Sequence, residues 1–199
     1  MDNSVGSYFD GLFDAIESVQ CSDRAGLELS RAEAYESATR LAEATAFAGN
    51  KVMFIGNGGS AGIASHMAID FSKNGRMPAM AFNDGAALTC LANDFGYEEV
   101  FARQMHFHAR RGDLLVAISS SGRSQSILRA VDAAREIGCS VMTMSGFEPT
   151  NPLRAMGEVN FYVARSEYGI VEVAHTALIH AVVDLKCAGV FSPTAKALV

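Results

Sequence analysis

From residue 51 onward, short apolar runs alternate with amphipathic segments, and this alternation constrains the fold of the 199-residue chain more than any other feature. The apolar runs are continuous, which is typical of parallel strands that are covered on both faces. The predicted strands are 51–55, 78–82, 114–118, 140–144 and 159–163. The predicted helices of this part are 60–73, 97–110, 124–137 and 170–188. We therefore expect an α/β fold in which helices flank a five-stranded parallel sheet.

Two helices are predicted before any strand. Residues 7–20 carry apolar side chains at helical spacing. A second helix begins at Ser30, where Ser30 and Glu33 fit a capping box, and it ends at Gly49. We expect one domain over residues 1–199, with a helical extension in 1–50 and the α/β core in 51–190.

Composition excludes several classes of protein. The net charge of −6 argues against nucleic-acid binding through a basic surface. The absence of an 18-residue apolar run argues against a membrane span, and residues 1–19 lack the apolar centre of a signal peptide. The four cysteines are far apart and form no Cys-x-x-Cys pair, so we expect buried free thiols in a reducing cytoplasm.

A glycine-rich loop follows the first core strand. Gly56-Asn57-Gly58-Gly59-Ser60 leads into a predicted helix, and glycine lets the backbone approach a ligand closely. N–H groups at such a helix N-terminus favour an anion. The same residues also match the dinucleotide pattern Gly56-x-Gly58-x-x-Ala61, with Asp84 near the next strand as the acid that this pattern requires.

A serine-rich loop follows the third core strand. Ser119-Ser120-Ser121-Gly122-Arg123-Ser124 precedes another predicted helix and offers four hydroxyl groups. A polar surface loop with Ser124 as the helix cap would explain only part of this pattern. Both loops should lie at the carboxyl edge of the sheet, where α/β proteins bind ligands, so we expect a phosphate there.

Further motifs occur in order between residues 35 and 188. After the glycine loop come His66, then Ala92-Asn93-Asp94-Phe95-Gly96-Tyr97, then Ile118 with the serine loop, then Glu172-x-x-His175-x-x-x-x-His180. Together they resemble the sugar-isomerase (SIS) domain family and, within it, the phosphoheptose isomerases.

The resemblance implies an architecture and an activity. The expected fold is the SIS fold, a flavodoxin-like three-layer sandwich, with the helices of residues 1–50 packing into a homotetramer that has active sites at subunit interfaces. The expected reaction converts sedoheptulose 7-phosphate to D-glycero-D-manno-heptose 7-phosphate, for bacterial lipopolysaccharide and other surface glycans. Aldose–ketose isomerisation moves a proton through an enediol, and one Zn²⁺ per subunit would polarise the oxygens.

The resemblance also implies roles for individual residues. The expected phosphosugar contacts are Asn57, Gly58, Gly59, Ser60, Asp94, Ser119, Ser120, Ser121, Ser124 and Glu172. The expected zinc ligands are His66, Asp70, Glu172 and His180. Asp70, Glu172 and His180 are also expected to take part in proton transfer.

Two of these positions depart from the family pattern, which has Glu at position 70 and Gln at position 172. We hypothesise that zinc still binds and that Glu172 takes over part of the base or ligand work. Glu172 and His180 are eight residues apart, a rise of about 12 Å in a helix, so either the helix begins late or the two act from different subunits. His175 could instead pair with Glu172 as ligands, although a core position is the simpler interpretation.

Other interpretations stay open. Asp70 could be an ordinary exposed acid, Glu172 a first-turn acid favoured by the helix dipole, and Asp94 the cap of a helix after a short loop. Lys73 or Arg76 could bind the phosphate or a sugar hydroxyl. The chain could also be a noncatalytic SIS adaptor, similar to the branch that binds the bacterial replication initiator, or a dinucleotide-binding protein.

Overall fold

The computed structural model describes residues 4–191, so residues 1–3 and 192–199 of the predicted domain lie outside the described residues. Seven strands form one sheet. They are β1 (Gln20–Asp23), β2 (Glu28–Leu29), β3 (Val52–Gly56), β4 (Ala79–Ala81), β5 (Leu114–Ser119), β6 (Ser140–Gly146) and β7 (Val159–Val163). Their order across the sheet is β2-β1-β7-β6-β5-β3-β4.

Seven α-helices surround the sheet within the described residues. They are α1 (Val5–Glu17), α2 (Arg31–Phe47), α3 (Gly59–Lys73), α4 (Gly85–Phe95), α5 (Val100–His108), α6 (Gln125–Ile137) and α7 (Tyr168–Cys187). None of them is long and apolar enough to cross a membrane.

The predicted parallel core is confirmed, since β3 to β7 pair in parallel. The prediction of five strands and of two helices before any strand is wrong, because β1 and β2 lie between α1 and α2. β1 pairs antiparallel with β7, placing Cys21 opposite Phe161, and β2 extends that edge. β1 is Gln-Cys-Ser-Asp, which has no apolar run, so backbone pairing rather than composition makes it a strand.

The sheet separates two apolar cores, which gives the expected three layers. On β3, Val52 and Phe54 face the core formed with α1, α2, α3 and α7, whereas Met53 and Ile55 face the core formed with α4, α5 and α6. Every residue of β3 and β5 is buried, because helices cover both faces of these central strands.

Two further expectations need correction. The prediction missed α4, which occupies the connection after β4, and the predicted helix 97–110 consists of a 3₁₀ turn (Tyr97–Glu99) followed by α5. All four thiols are free, as expected, but only Cys21 and Cys139 are buried, while Cys90 and Cys187 are exposed.

The strand order places a ligand crevice at the centre of the sheet. From β3 the chain crosses to β4 on one side and then returns to β5 on the other side. The connections that follow β3 and β5 therefore run in opposite directions, which opens a crevice outside the carboxyl ends of these two strands. The glycine loop follows β3 and the serine loop follows β5, so the fold brings the two loops together.

Candidate functional site

The two loops enclose a cavity of about 210 Å³, hereafter the serine cavity. Its lining residues are Asn57, Ser60, Ser119, Ser120, Ser121, Ser124, Tyr168 and Glu172. Seven of the ten residues predicted to contact the phosphosugar are thus brought together. Gly58 and Gly59 form the adjoining turn into α3. Tyr168 was not predicted, because it stands in the unremarkable sequence before Glu172.

Three helices begin at this cavity without a side-chain cap. Gly58 precedes α3 and has no side chain that could cap it. Ser124 precedes α6 and Glu167 precedes α7, and neither side chain makes a hydrogen bond with the first turn of its helix. By contrast, side chains cap α1, α2 and α4, which begin away from the cavity; the capping residues are Ser4, Ser30 and Asp84. Helix α5 also begins without a side-chain cap, and it follows directly on the 3₁₀ turn. The N–H groups of the first two residues of α3, α6 and α7 have no partner within residues 4–191 and are available to an anion.

The Asn57 side chain ties the glycine loop to the serine loop. Its Nδ2 donates to Ser124 Oγ at 2.8 Å and to Ser126 Oγ at 3.0 Å, which explains why the Ser124 hydroxyl does not cap α6. Its Oδ1 accepts a hydrogen bond from the Tyr97 hydroxyl at 2.8 Å. Tyr97 was part of a recognised motif but received no role, so the signal for it was present in the sequence.

The Asn151 side chain packs against Gly122 of the serine loop. Gly122 has φ of 61°, and a Cβ at this position would overlap Asn151 Oδ1. The buried Asn151 side chain donates to the carbonyl oxygens of Gly146 and Glu148 and accepts from the Arg154 N–H. No sequence signal linked Asn151 to a loop some thirty positions earlier, because this contact depends on the tertiary fold.

The Ser120 hydroxyl is a free polar group at the cavity. Ser120 is buried, yet its Oγ has no hydrogen-bond partner among residues 4–191. Buried hydroxyl groups nearly always have a partner, so a bound ligand or water is the natural partner for this one.

A second cluster, hereafter the His–Asp–His group, consists of His66 and Asp70 on α3 and His180 on α7. Asp70 Oδ2 lies 3.4 Å from His66 Nε2 and 3.5 Å from His180 Nδ1. The two Nε2 atoms are 3.2 Å apart. Potential ligand atoms of the three residues lie within 4.8 Å of one another. Two imidazoles and one carboxylate form a donor set that suits Zn²⁺ and leaves a fourth position open.

Glu172 lies apart from the His–Asp–His group within this chain. Helix α7 begins at Tyr168, so the alternative in which it begins after Glu172 is wrong. The Glu172 carboxylate lies against the backbone of Gly59 in the serine cavity; a Cβ on Gly59 would overlap it. The structure records no hydrogen bond or ion pair for this carboxylate within the described part of the chain, so it is available to a ligand.

His175 is a core residue, as the simpler interpretation predicted. It is 0% exposed, and its Nε2 lies 3.1 Å from the Ser145 carbonyl oxygen. Burial lowers the pKa of His175 to about 4, although the hydrogen bond to Ser145 acts to raise it. Because the His175 ring is enclosed in the core and its Nε2 is paired with Ser145, it does not form a ligand couple with Glu172.

Asp94 and Asp84 lie outside the serine cavity. Asp94 belongs to the last turn of α4 rather than to a short loop, and it accepts hydrogen bonds from Asn93 Nδ2 and Cys90 Sγ. The stretch is helical because Asp84 caps α4 through the Ala87 N–H. This role accounts for Asp84 without a dinucleotide.

The two cations expected near the phosphate are exposed. Lys73 lies in the last turn of α3, and Arg76 follows it with φ of 53°. Neither side chain has a hydrogen bond or an ion pair with another residue of the described range, and neither lines the serine cavity.

Comparison with known proteins was made at the level of family, sequence and structure. The model of the SIS domain matches residues 24–146. A phosphoheptose isomerase from Citrifermentans bemidjiense is 33% identical, with 83% of this chain and 88% of that protein aligned. A phosphoheptose isomerase from Rhodospirillum rubrum is 42% identical, but the match spans 58% of this chain and only 64% of that protein's length.

A solved structure extends the similarity to nearly the whole chain. The structure of phosphoheptose isomerase GmhA from Neisseria gonorrhoeae superimposes with a TM-score of 0.78 at 30% identity, covering 92% of this chain and 97% of that one. The sequence motifs, the fold and these comparisons agree, and the chain belongs to the SIS-domain phosphoheptose isomerase family.

Proposed function

We propose that this chain is a phosphosugar isomerase that converts sedoheptulose 7-phosphate to D-glycero-D-manno-heptose 7-phosphate. One observation carries the proposal. The same two helices, α3 and α7, contribute residues both to the serine cavity and, farther along their length, to the His–Asp–His group. A phosphate subsite and a reactive subsite would thus lie on the same pair of helices. The names of the relatives support this choice of substrate class.

The phosphate group would bind in the serine cavity. The uncapped N-termini of α3, α6 and α7 offer backbone N–H donors, and the serines offer hydroxyl donors. Asn57 holds the two loops at a fixed separation through Ser124 and Ser126. Among residues 4–191, no Lys or Arg lines the cavity, so uncharged donors would hold the phosphate, which allows its release after turnover.

The distance between the two subsites suits a long sugar phosphate. His66 follows Ser60 by six residues and His180 follows Glu172 by eight, so the His–Asp–His group lies about 9–12 Å along the helices from the cavity. An extended seven-carbon sugar that is phosphorylated at one end spans such a distance. Its carbonyl end would then reach the His–Asp–His group.

One Zn²⁺ per chain would be held by His66, Asp70 and His180. When bound, the ion would supply Lewis-acid polarisation of the sugar oxygens at the two carbons that exchange the proton. We place Glu172 in substrate binding and proton transfer instead, because its carboxylate faces the cavity and is not part of the group.

Proton transfer needs a base that is not occupied elsewhere. Asp70 lies within 3.5 Å of both histidines and accepts a hydrogen bond from Asn74, so it is committed to its own group. Glu172 has no such partner, and we propose that its carboxylate moves the proton between the adjacent carbons when the carbonyl end of the sugar lies between Glu172 and the His–Asp–His group. This assignment explains how a chain with Asp at position 70 can retain catalysis.

An isotope experiment tests the proposal. Sedoheptulose 7-phosphate is incubated with the zinc-loaded protein in D₂O, and the product is followed by NMR. A base that exchanges its proton with solvent predicts an aldoheptose 7-phosphate with deuterium at C2. Conversion without deuterium would contradict a solvent-exchanging base, and no conversion would leave a noncatalytic phosphosugar-binding adaptor as the function of the fold.

We further propose that the chain forms a homotetramer with active sites at subunit interfaces. Val5, Phe9 and Phe13 are exposed at four-residue intervals and form an apolar stripe on α1. His66 and its neighbour Ile69 are also exposed on α3, so a partner subunit could cover the His–Asp–His group. Light scattering tests this, with Phe13→Asp expected to lower the mass and Phe107→Asp, at an exposed position on α5, expected to leave it unchanged.

A further inference from the structure

A second cavity lies at the opposite edge of the sheet, where β3, β4 and β5 begin. It has a volume of about 370 Å³, within the usual range for small-molecule sites, and is hereafter the amino-edge cavity. The residues on which its chemistry depends are Lys51, Pro78, Met80, His108, Arg110 and Asp113. None of them has a role in the isomerase site proposed above.

The floor of the amino-edge cavity is a fixed ion pair. Asp113 is 1% exposed, and its carboxylate accepts hydrogen bonds from the backbone N–H groups of Lys51 and Arg110 and from the Lys51 ammonium group. An ammonium group has three donors, of which Asp113 uses one. Lys51 is therefore held in place by a buried carboxylate while it keeps donors for the cavity that it lines.

The rest of the lining adds positive charge without adding a carboxylate. Arg110 and His108 line the cavity, and their side chains have no hydrogen bond or ion pair with other residues in the 4–191 range. Within the described part of the chain, Asp113 is the only acid of the lining and is already paired with Lys51, so Arg110 leaves a cation in excess. This local charge is opposite in sign to the net charge of −6 of the chain.

One wall of the amino-edge cavity is apolar. Pro78 immediately precedes β4 and Met80 lies within it. The His108 ring packs against the Phe82 ring, with 5.8 Å between the two ring centroids. Methionine adapts its shape to a ligand, and a proline and an imidazole offer flat surfaces. A ligand that fits would carry an anionic head group for Arg110 and Lys51 and a compact apolar body for Met80.

We propose that the amino-edge cavity binds a small organic anion, a carboxylate or phosphate ester with an apolar body. This cavity is separate from the serine cavity. The two lie at opposite ends of β3 and β5, which begin at the amino-edge cavity and end at the glycine and serine loops. The proposal does not depend on the isomerase activity.

The test uses benzoate and phenyl phosphate as probes on the full-length protein labelled with ¹³C at the methionine methyl groups. The Met80 signal is assigned by its loss in Met80→Leu. The proposal predicts a saturable shift of this signal with one or both anions and a weaker response to neutral benzyl alcohol. The anion that binds more tightly identifies the head group.

Matched variants locate the charge. Arg110→Gln should weaken anion binding at least about tenfold, because a charge-assisted hydrogen bond is lost. Arg111→Gln removes an adjacent exposed cation that does not line the cavity, and it should leave binding unchanged. The absence of a saturable Met80 shift, equal effects of the two variants, or equal binding of benzyl alcohol would each overturn the proposal.

Discussion

The Nε2 atoms of His66 and His180 lie 3.2 Å apart, although 114 positions separate the two histidines in the chain. A neutral imidazole has one donor nitrogen and one acceptor nitrogen, so two such atoms at this distance must share a proton or bind a common cation. Helix α3 packs against α7 with Asp70 beside both rings, an arrangement that fits the zinc ion proposed above.

Removing either histidine should therefore abolish metal binding. His66→Ala and His180→Ala are expected to reduce zinc from about one ion per chain to near zero, because two remaining ligands hold Zn²⁺ weakly. Elemental analysis after dialysis against zinc measures this. His106→Ala, at an exposed position near the end of α5, is the control and should keep its zinc. Full zinc content in all three variants would refute the metal centre.

Glu172→Gln should separate proton transfer from metal binding. We expect kcat to fall about 100-fold, within the range for loss of a general base, because the amide cannot accept the proton. Zinc content should stay unchanged, since the carboxylate lies in the serine cavity. Steady-state kinetics and elemental analysis measure the two effects.

Asp184→Asn provides the comparison for Glu172→Gln, because Asp184 is an exposed acid on the same helix. This variant should behave as the unmodified protein. Loss of zinc in Glu172→Gln would show that Glu172 is a metal ligand after all, and unchanged turnover would remove it from the chemistry.

Gly122 should tolerate no side chain. Gly122→Ala combines a positive φ with a Cβ that would overlap Asn151, so the free energy of unfolding should fall by about 2 kcal/mol or more. Urea denaturation measures the change.

Gly62→Ala is the matched control for Gly122→Ala. Gly62 lies inside α3, and a Cβ there would have open space, so this change should raise the free energy of unfolding by about 0.5–1 kcal/mol. Equal stabilities of the two variants would contradict the strained, tightly supported serine loop.

His175 should make the stability of the fold depend on pH. A histidine in the unfolded chain takes up a proton below about pH 6.5, whereas His175 in the folded chain stays neutral down to about 4. The unfolded state thus binds more protons between these values, and the free energy of unfolding should fall by about 3 kcal/mol as the pH drops through this window.

Urea denaturation between pH 7.5 and pH 5 isolates this contribution. His175→Gln should show a shallower loss of stability on acidification, whatever its stability at neutral pH. His106→Gln, which changes an exposed histidine, should keep the original slope. An unchanged slope in His175→Gln would mean that His175 titrates normally in the folded state.

Local patterns in the sequence predicted the parallel core because its strands are buried on both faces. Strand 159–163, for example, matches β7 at both ends. The same patterns missed β1, whose polar residues pair through the backbone with a strand far along the chain. They also missed α4, whose glycine start and Asn-Asp end resemble turn sequences.

The site was predictable where its chemistry is local. The glycine and serine loops carry their signal in consecutive residues, and His66 and Asp70 share a helix face. Asn151 and Ser126 were out of reach, because their contacts with Gly122 and Asn57 exist only after the sheet has formed. The separation of Glu172 from His180, by contrast, was indicated by their eight-residue spacing within one helix.

The most direct test of the central claim is the rate at which sedoheptulose 7-phosphate is converted by metal-stripped protein before and after zinc is restored. The account predicts little conversion without metal, recovery with about one zinc ion per chain, and no conversion of unphosphorylated sedoheptulose at the same concentration. Zinc-loaded, folded protein that does not isomerise sedoheptulose 7-phosphate would contradict it.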